Sequence, residues 1–162
     1  QFFRLHLEKL RDRQKLAATL TGNWTSANRK AFQVVLDGSR IQIKRDSQQG
    51  DDDLLTIKSM GTHIGPMTDV PLTFIGTMIG DKISGQYITA AGKYAGHCDV
   101  PERKGNFEGT VDIDGGQIRI TYNRVQFEYE MKFKSFLSSE LVCWQVKQHE
   151  QPGYVLELKR NK

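Results

Sequence analysis

"LTGNWTSANR", Leu20 to Arg29, separates two kinds of sequence. Before it, residues 2–19 read as a basic helix. After it, apolar residues recur at every second position, the period of strands. At the junction stand Gly22 and Trp24, two residues apart and therefore on one face of an extended segment. The first strand of a small closed barrel must bend sharply to enter the closure. Glycine permits the bend, and a large aromatic two positions on fills the barrel floor. The Gly22-Asn23-Trp24 triplet therefore predicts the opening strand of a β-barrel.

The helical segment, "FFRLHLEKLRDRQKLAAT", lacks Gly and Pro, and Phe3, Leu7, Leu10 and Ala17 fall near one face. The expectation is a helix over residues 2–19, packed against one end of the barrel or projecting from it. Its start on Gln-Phe-Phe followed by basic residues also looks like the cytoplasmic exit of a membrane segment, where basic residues accumulate. Membrane attachment through residues before Gln1 is the corresponding expectation, an ordinary amphipathic helix its alternative.

From Leu20 onward the alternation repeats. "AFQVVL" sets Phe32, Val34 and Leu36 on one face, and "RIQIKR" follows with Ile41 and Ile43. Asp37-Gly38 between them, Gly80-Asp81 and Gly115-Gly116 predict hairpin turns, because such turns need positive φ. Phe74-x-Gly76-Thr77 returns as Phe107-x-Gly109-Thr110, a spacing of 33 that suggests two similar hairpins. "VQFEYEMKFK", "ELVCWQVKQ" and "YVLELKR" complete about eight to ten strands in an all-β antiparallel meander. Closure would remove exposed edges. Without βαβ alternation, doubly wound and (β/α)8 architectures are excluded. The expected organisation is a helix at 1–19 and a ligand-binding barrel at 20–162, with long loops at 60–71 and 90–104 near the barrel mouth.

The composition is that of a globular protein of about one domain: 162 residues, 38% hydrophobic and 26% charged. No run of eighteen apolar residues predicts a transmembrane helix. A chain that opens on Gln rather than Met looks processed or cut from something longer. The net charge of +4 is concentrated near the two ends, which suits anionic ligands or a solvated face. Cys98 and Cys143 could pair in an exported protein or stay reduced in the cytosol.

Here the triplet resembles the G-x-W signature that opens lipocalins and other calycins, and "LTGNWT" is similar to the first strand of avidins. The resemblance implies that an arginine on the last strand, Arg160, caps Trp24. It covers the opening strand and the strand order; the later T-D-Y motif of lipocalins and the biotin contacts of avidins are missing. A basic helix running into a T-G-x-W barrel also looks like the bacterial two-transmembrane, β-strand-rich effectors of cyclic-oligonucleotide antiphage systems. That likeness implies a cytoplasmic barrel that senses a cyclic dinucleotide.

Standard catalytic patterns are absent. There is no phosphate loop, no dinucleotide fingerprint and no H-E-x-x-H. His97-Cys98-Asp99 lacks the second cluster that a zinc site needs, and Asp51-Asp52-Asp53 lacks calcium-loop spacing. Ser138 and Ser139 have no G-x-S-x-G around them. The expectation is a non-enzymatic protein without metal or cofactor.

Tyr87, Tyr122, Tyr129 and Tyr154 share the apolar face of their strands. A buried tyrosine needs a partner for its hydroxyl, so the set suits a ligand or buried water. Arg124, read as standing at a turn between the strands of Tyr122 and Tyr129, would offer a charge beside two rings. Arg29, Lys30, Lys93, Arg103 and Lys104 stand near other strand ends. Rings for stacking and cations for phosphate make an acceptable nucleotide pocket.

The expected ligand-binding set is therefore Tyr87, Tyr122, Arg124, Tyr129, Tyr154 and Lys104, with Gly22, Trp24 and Arg160 as the structural floor. The first expectation is a sensor for a cyclic dinucleotide or related nucleotide, in the cytoplasmic part of an inner-membrane antiviral effector, with ligand-induced homo-oligomerisation. The alternative is a periplasmic or secreted calycin-like carrier of a small hydrophobic molecule. The state of the two cysteines discriminates between the compartments.

Overall fold

The computed structural model describes residues 2–45, 56–59, 62–64, 71–94, 98–138 and 140–161. Asp51, Asp52, Asp53, His97 and Ser139 lie outside them. One helix, α1 (Phe2–Leu20), precedes the strands β1 (Gly22–Ser26), β2 (Ala31–Asp37), β3 (Arg40–Arg45), β4 (Thr56–Ser59), β5 (Thr62–Ile64) and β6 (Leu72–Ile79). There follow β7 (Lys82–Thr89), β8 (Gly92–Tyr94), β9 (Cys98–Val100), β10 (Arg103–Asp112), β11 (Gln117–Phe133) and β12 (Leu141–Arg160).

Eight of the strands close an antiparallel barrel in the order β1-β2-β3-β6-β7-β10-β11-β12, with β12 pairing back onto β1. The sequence alternation becomes an inside and an outside. In β2, Phe32, Val34 and Leu36 are buried and their neighbours exposed; Ile41, Ile43 and Arg45 of β3 follow the same rule. The turns fall close to where glycine demands them. The first uses Gly38-Ser39 instead of Asp37-Gly38, since Asp37 pairs with Arg40 and only Gly38 of the two loop residues has positive φ.

The floor is built from the opening triplet. Gly22 has φ 144°, a conformation side chains rarely adopt, and it turns the chain from helix to strand within two residues. Trp24 is buried, and its indole Nε1 donates to the Leu20 carbonyl at 2.9 Å, occupying an acceptor that the helix end leaves over. Leu20 is buried and Leu16 packs beside it, so the last turn of α1 covers the floor. Residues 3–15 of α1 are exposed and project away. Arg160 sits opposite Trp24 in the ladder, and its side chain is exposed.

Above the floor the F-x-G-T repeat acquires a physical meaning. Both copies point their Phe and Gly inward, on β6 and β10. Phe107 lies opposite Gly85, and the Phe74 and Phe107 rings meet edge to face at 5.1 Å. Gly105 lies opposite Tyr87, whose ring stands 2.5 Å from where a Cβ would be. Inward glycines thus make room for inward rings in a barrel too narrow for side chains at every position.

Two strands run far past the barrel. The sequence reading expected a turn near Arg124 and a break between "ELVCWQVKQ" and "YVLELKR". Instead β11 spans 17 residues and β12 spans 20, each continuous. What looked like a break is a β-bulge: Tyr122 pairs with Tyr154 and Arg124 with Gln151, leaving Asn123 against Pro152 and Gly153. Neither Gly nor Pro stands at 122–124 to reverse the chain, while Gly153, at φ 71°, absorbs the irregularity on the partner strand.

The bulge also switches the inward parity of β11. Ile118, Ile120 and Tyr122 face the barrel interior, whereas Val125 and Phe127 enter a second core with Cys98 and Val100. This second region is an arm. β5 pairs with β11, β4 with β5, and β8 with β9, while a disulfide joins Cys98 to Cys143 with Cα atoms 5.2 Å apart.

Candidate functional site at the barrel mouth

The barrel end away from α1 carries the polar and aromatic groups. Across β3, β6, β7 and β10, one ladder row reads Arg45, Leu72, Thr89 and Arg103, and the row beneath it reads Ile43, Phe74, Tyr87 and Gly105. Tyr122 and Tyr154, paired across β11 and β12, bring their rings to this level.

Three of the four sequence-predicted tyrosines are brought together. The Tyr122 ring meets Phe74 at 5.0 Å, Tyr87 at 5.3 Å and Tyr154 at 5.9 Å, all at steep interplanar angles. Such edge-to-face contacts set positive ring edges against negative ring faces. Tyr87 and Tyr122 are 4% and 6% exposed, so their rings are engaged with one another and closed to solvent. Tyr154 is half-buried, and the Arg124 guanidinium lies over its ring at 4.6 Å. Arg124 also donates to the Gln151 side chain at 3.4 Å. The pairing of cation and ring follows from the bulge, which brings Arg124 beside the end of the Tyr122–Tyr154 pair.

Two members of the expected set lie elsewhere. Lys104 is exposed, one position from inward-facing Gly105, and ion-pairs with Glu102 at 3.2 Å. Tyr129 is seven residues beyond Tyr122, roughly 20 Å along the strand, where it pairs with Val146 in the arm; its side chain lies outside the described residues. The Tyr122–Arg124–Tyr129 unit expected from sequence is thus divided between barrel and arm, because a bulge rather than a turn follows Tyr122.

The electrostatics centre on Tyr87. Burial pushes its phenol above the usual tyrosine range and Glu150 adds to the rise, while a hydrogen bond with the Asn123 side chain and the Arg103 charge oppose it. The Asn123 Oδ1 atom is buried with no hydrogen-bond partner among the described residues. Arg103 donates to Gln148, which donates to Glu150 at 2.8 Å, so a polar chain runs along the rim.

Arg45 and Asn123 were missed as candidates. Arg45 is 6% exposed with its guanidinium 5.8 Å from the Phe32 ring. Its signal was present: Ile41-x-Ile43-x-Arg45 continues an inward alternation. Asn123 carried none, because its position depends on the bulge. Among the described residues no three His, Cys, Asp or Glu side chains gather as metal ligands, and no helix is long and apolar enough to cross a membrane. No protein-family model, curated protein or solved structure matches the chain; its closed eight-stranded antiparallel barrel with one helix is compatible with a calycin-like barrel.

Proposed function

We propose that the chain is a non-enzymatic ligand-binding barrel. Its ligand is a small molecule with an anionic group and an apolar or aromatic body, taken at the mouth between Arg124, Tyr154 and the inward row of Arg45 and Thr89. The carrying observation is the Arg124 guanidinium stacked on Tyr154 directly beside the Tyr122–Tyr87–Phe74 cluster. A cation held over a ring at the rim of an apolar interior suits a ligand whose charge stays at the rim while its body is drawn inward. The Cys98–Cys143 bond supports an exported carrier over a cytoplasmic sensor, since such bonds persist in oxidising compartments.

The nucleotide reading stands second. Arg103 and Arg124 at the rim favour it, because they suit phosphate oxygens. It requires bases to stack on rings that already pack edge to face with one another. Calorimetry on the whole chain with fatty-acid-like anions, aromatic carboxylates and cyclic dinucleotides separates the two. Arg124→Ala should weaken binding of the preferred ligand roughly ten- to a hundredfold while leaving the circular dichroism unchanged. Binding by cyclic dinucleotides alone would favour the second reading. Binding by none of the panel would sink both.

A further inference from the structure

The turn that ends the arm breaks the usual chemistry of turns. Ser138 N–H donates to the Ser135 carbonyl at 3.1 Å, so Phe136 and Leu137 are the two central residues of a closed turn. Those positions ordinarily carry Gly, Asn, Asp or Pro. Here they carry a phenyl ring and an isobutyl group that are 101% and 92% exposed. The turn is held in shape by Lys134 N–H donating to the Glu140 carbonyl at 2.8 Å and Glu140 N–H to the Ser138 hydroxyl at 3.0 Å. The apolar pair is therefore presented on a fixed turn, and a polar pair would have served the turn better.

Behind the tip lies an amphipathic belt. Phe133 is 41% exposed and Trp144 59% exposed, with the Lys132 ammonium 3.4 Å from the centre of the Trp144 ring. From the register, Trp144 lies two to three residues behind Phe133, about 7–10 Å along the arm. Apolar groups that enter a membrane interface go in about 5–10 Å, with tryptophan and snorkelling lysine at the headgroup level. The exposed Lys134–Glu140 ion pair, at 3.7 Å, stands between the tip and this belt. Along the arm an apolar tip is thus followed by a charged pair and then by tryptophan with lysine, and the apolar depth is that of the Phe136-Leu137 tip alone.

We propose that the Phe136-Leu137 tip docks this protein onto a lipid bilayer, with Trp144 and Lys132 at headgroup depth. Shape selects the bilayer over a protein partner. The tip projects with both apolar side chains more than nine-tenths exposed, and stands roughly 30 Å or more along the strand from the barrel core. It is a single turn whose charged flank, Lys134 and Glu140, suits a headgroup layer. A bilayer accepts such a wedge without a matching pocket. The proposal is independent of which ligand the barrel takes.

The test uses the whole chain with sucrose-loaded vesicles of phosphatidylcholine and phosphatidylglycerol. The wild type should sediment with the vesicles and its tryptophan emission should shift to shorter wavelength. That shift reports Trp144, because Trp24 is already buried at 1% exposure. The double substitution Phe136→Asp with Leu137→Asp should lower vesicle partitioning by roughly a hundredfold or more and abolish the shift, with circular dichroism unchanged. Phe136→Trp should keep the binding. The proposal is overturned if the wild type stays in the supernatant or if the double variant sediments equally well. It is also overturned if the tip instead drives self-association, seen by ultracentrifugation without vesicles as a dimer that the double variant lacks.

Discussion

β11 and β12 form one hairpin that passes through two regions held together by different means. In the barrel, each strand has a neighbour on both sides, and the interior is a single core running from Leu20 and Trp24 to Tyr122. In the arm the same two strands pair over Arg124 to Phe133 and, among the described residues, cover a smaller second core of Cys98, Val100, Val125 and Phe127, joined by a covalent bond between Cys98 and Cys143. A closed sheet satisfies its backbone and buries enough apolar surface to stand alone, whereas an extended hairpin does neither and needs additional strands or a crosslink. The contrast teaches that the disulfide joins the region in which, among the described residues, the smaller core is found.

The severest way to break this contrast is to open the barrel floor. Trp24→Ala removes a large buried ring and the hydrogen bond to Leu20, and should cost about 3–5 kcal/mol in urea unfolding followed by circular dichroism. A loss below about 1 kcal/mol would mean that closure does not depend on the floor.

Next comes the crosslink. Replacing Cys98 and Cys143 with Ala opens a loop of sequence separation 45, for which chain entropy gives at most about 4 kcal/mol. The effect should be regional. Amide exchange should speed up over Val125–Met131 and around Val146, while Ile118, Ile120 and Leu158 keep their protection. Equal loss in both regions would show a single cooperative unit and dissolve the distinction.

The mildest test is at the boundary, where Tyr87 feels Glu150 and Asn123 beside the bulge. Its raised pKa means that the folded state resists ionisation. Below pH about 10, the usual tyrosine value, both states are protonated and its contribution is fully present; above that, the unfolded chain ionises first and stability falls. Tyr87→Phe should therefore show a shallower fall than wild type above pH about 10, measured as unfolding free energy against pH. Parallel curves would mean that Tyr87 is not held in the low-dielectric mouth that its burial implies.

Much of the barrel could be read directly. Alternation in "AFQVVL" and "RIQIKR", glycine at the turns and the Gly22-x-Trp24 opening each report a local constraint, and local constraints survive folding. The arm could not. "VQFEYEMKF" has the same alternation as a barrel strand, so nothing in it declares that Val125 and Phe127 leave the first core for the second. The mouth lies between these cases. Inward placement of Tyr87, Tyr122 and Tyr154 follows from period two, while their mutual contacts depend on strand register.

By itself, then, the sequence determined the alternation of faces, the glycine-marked hairpin turns to within a residue, and the Gly22 and Trp24 that open the first strand, because each depends on neighbours within a few positions along the chain. Only the tertiary structure decided that β12 returns to β1, that a bulge at Asn123 replaces a turn, that Arg124 meets Tyr154, and that Cys98 meets Cys143. These outcomes depend on register between distant strands. A single unpaired residue flips every side chain beyond it to the other face, and no local pattern records where that happens.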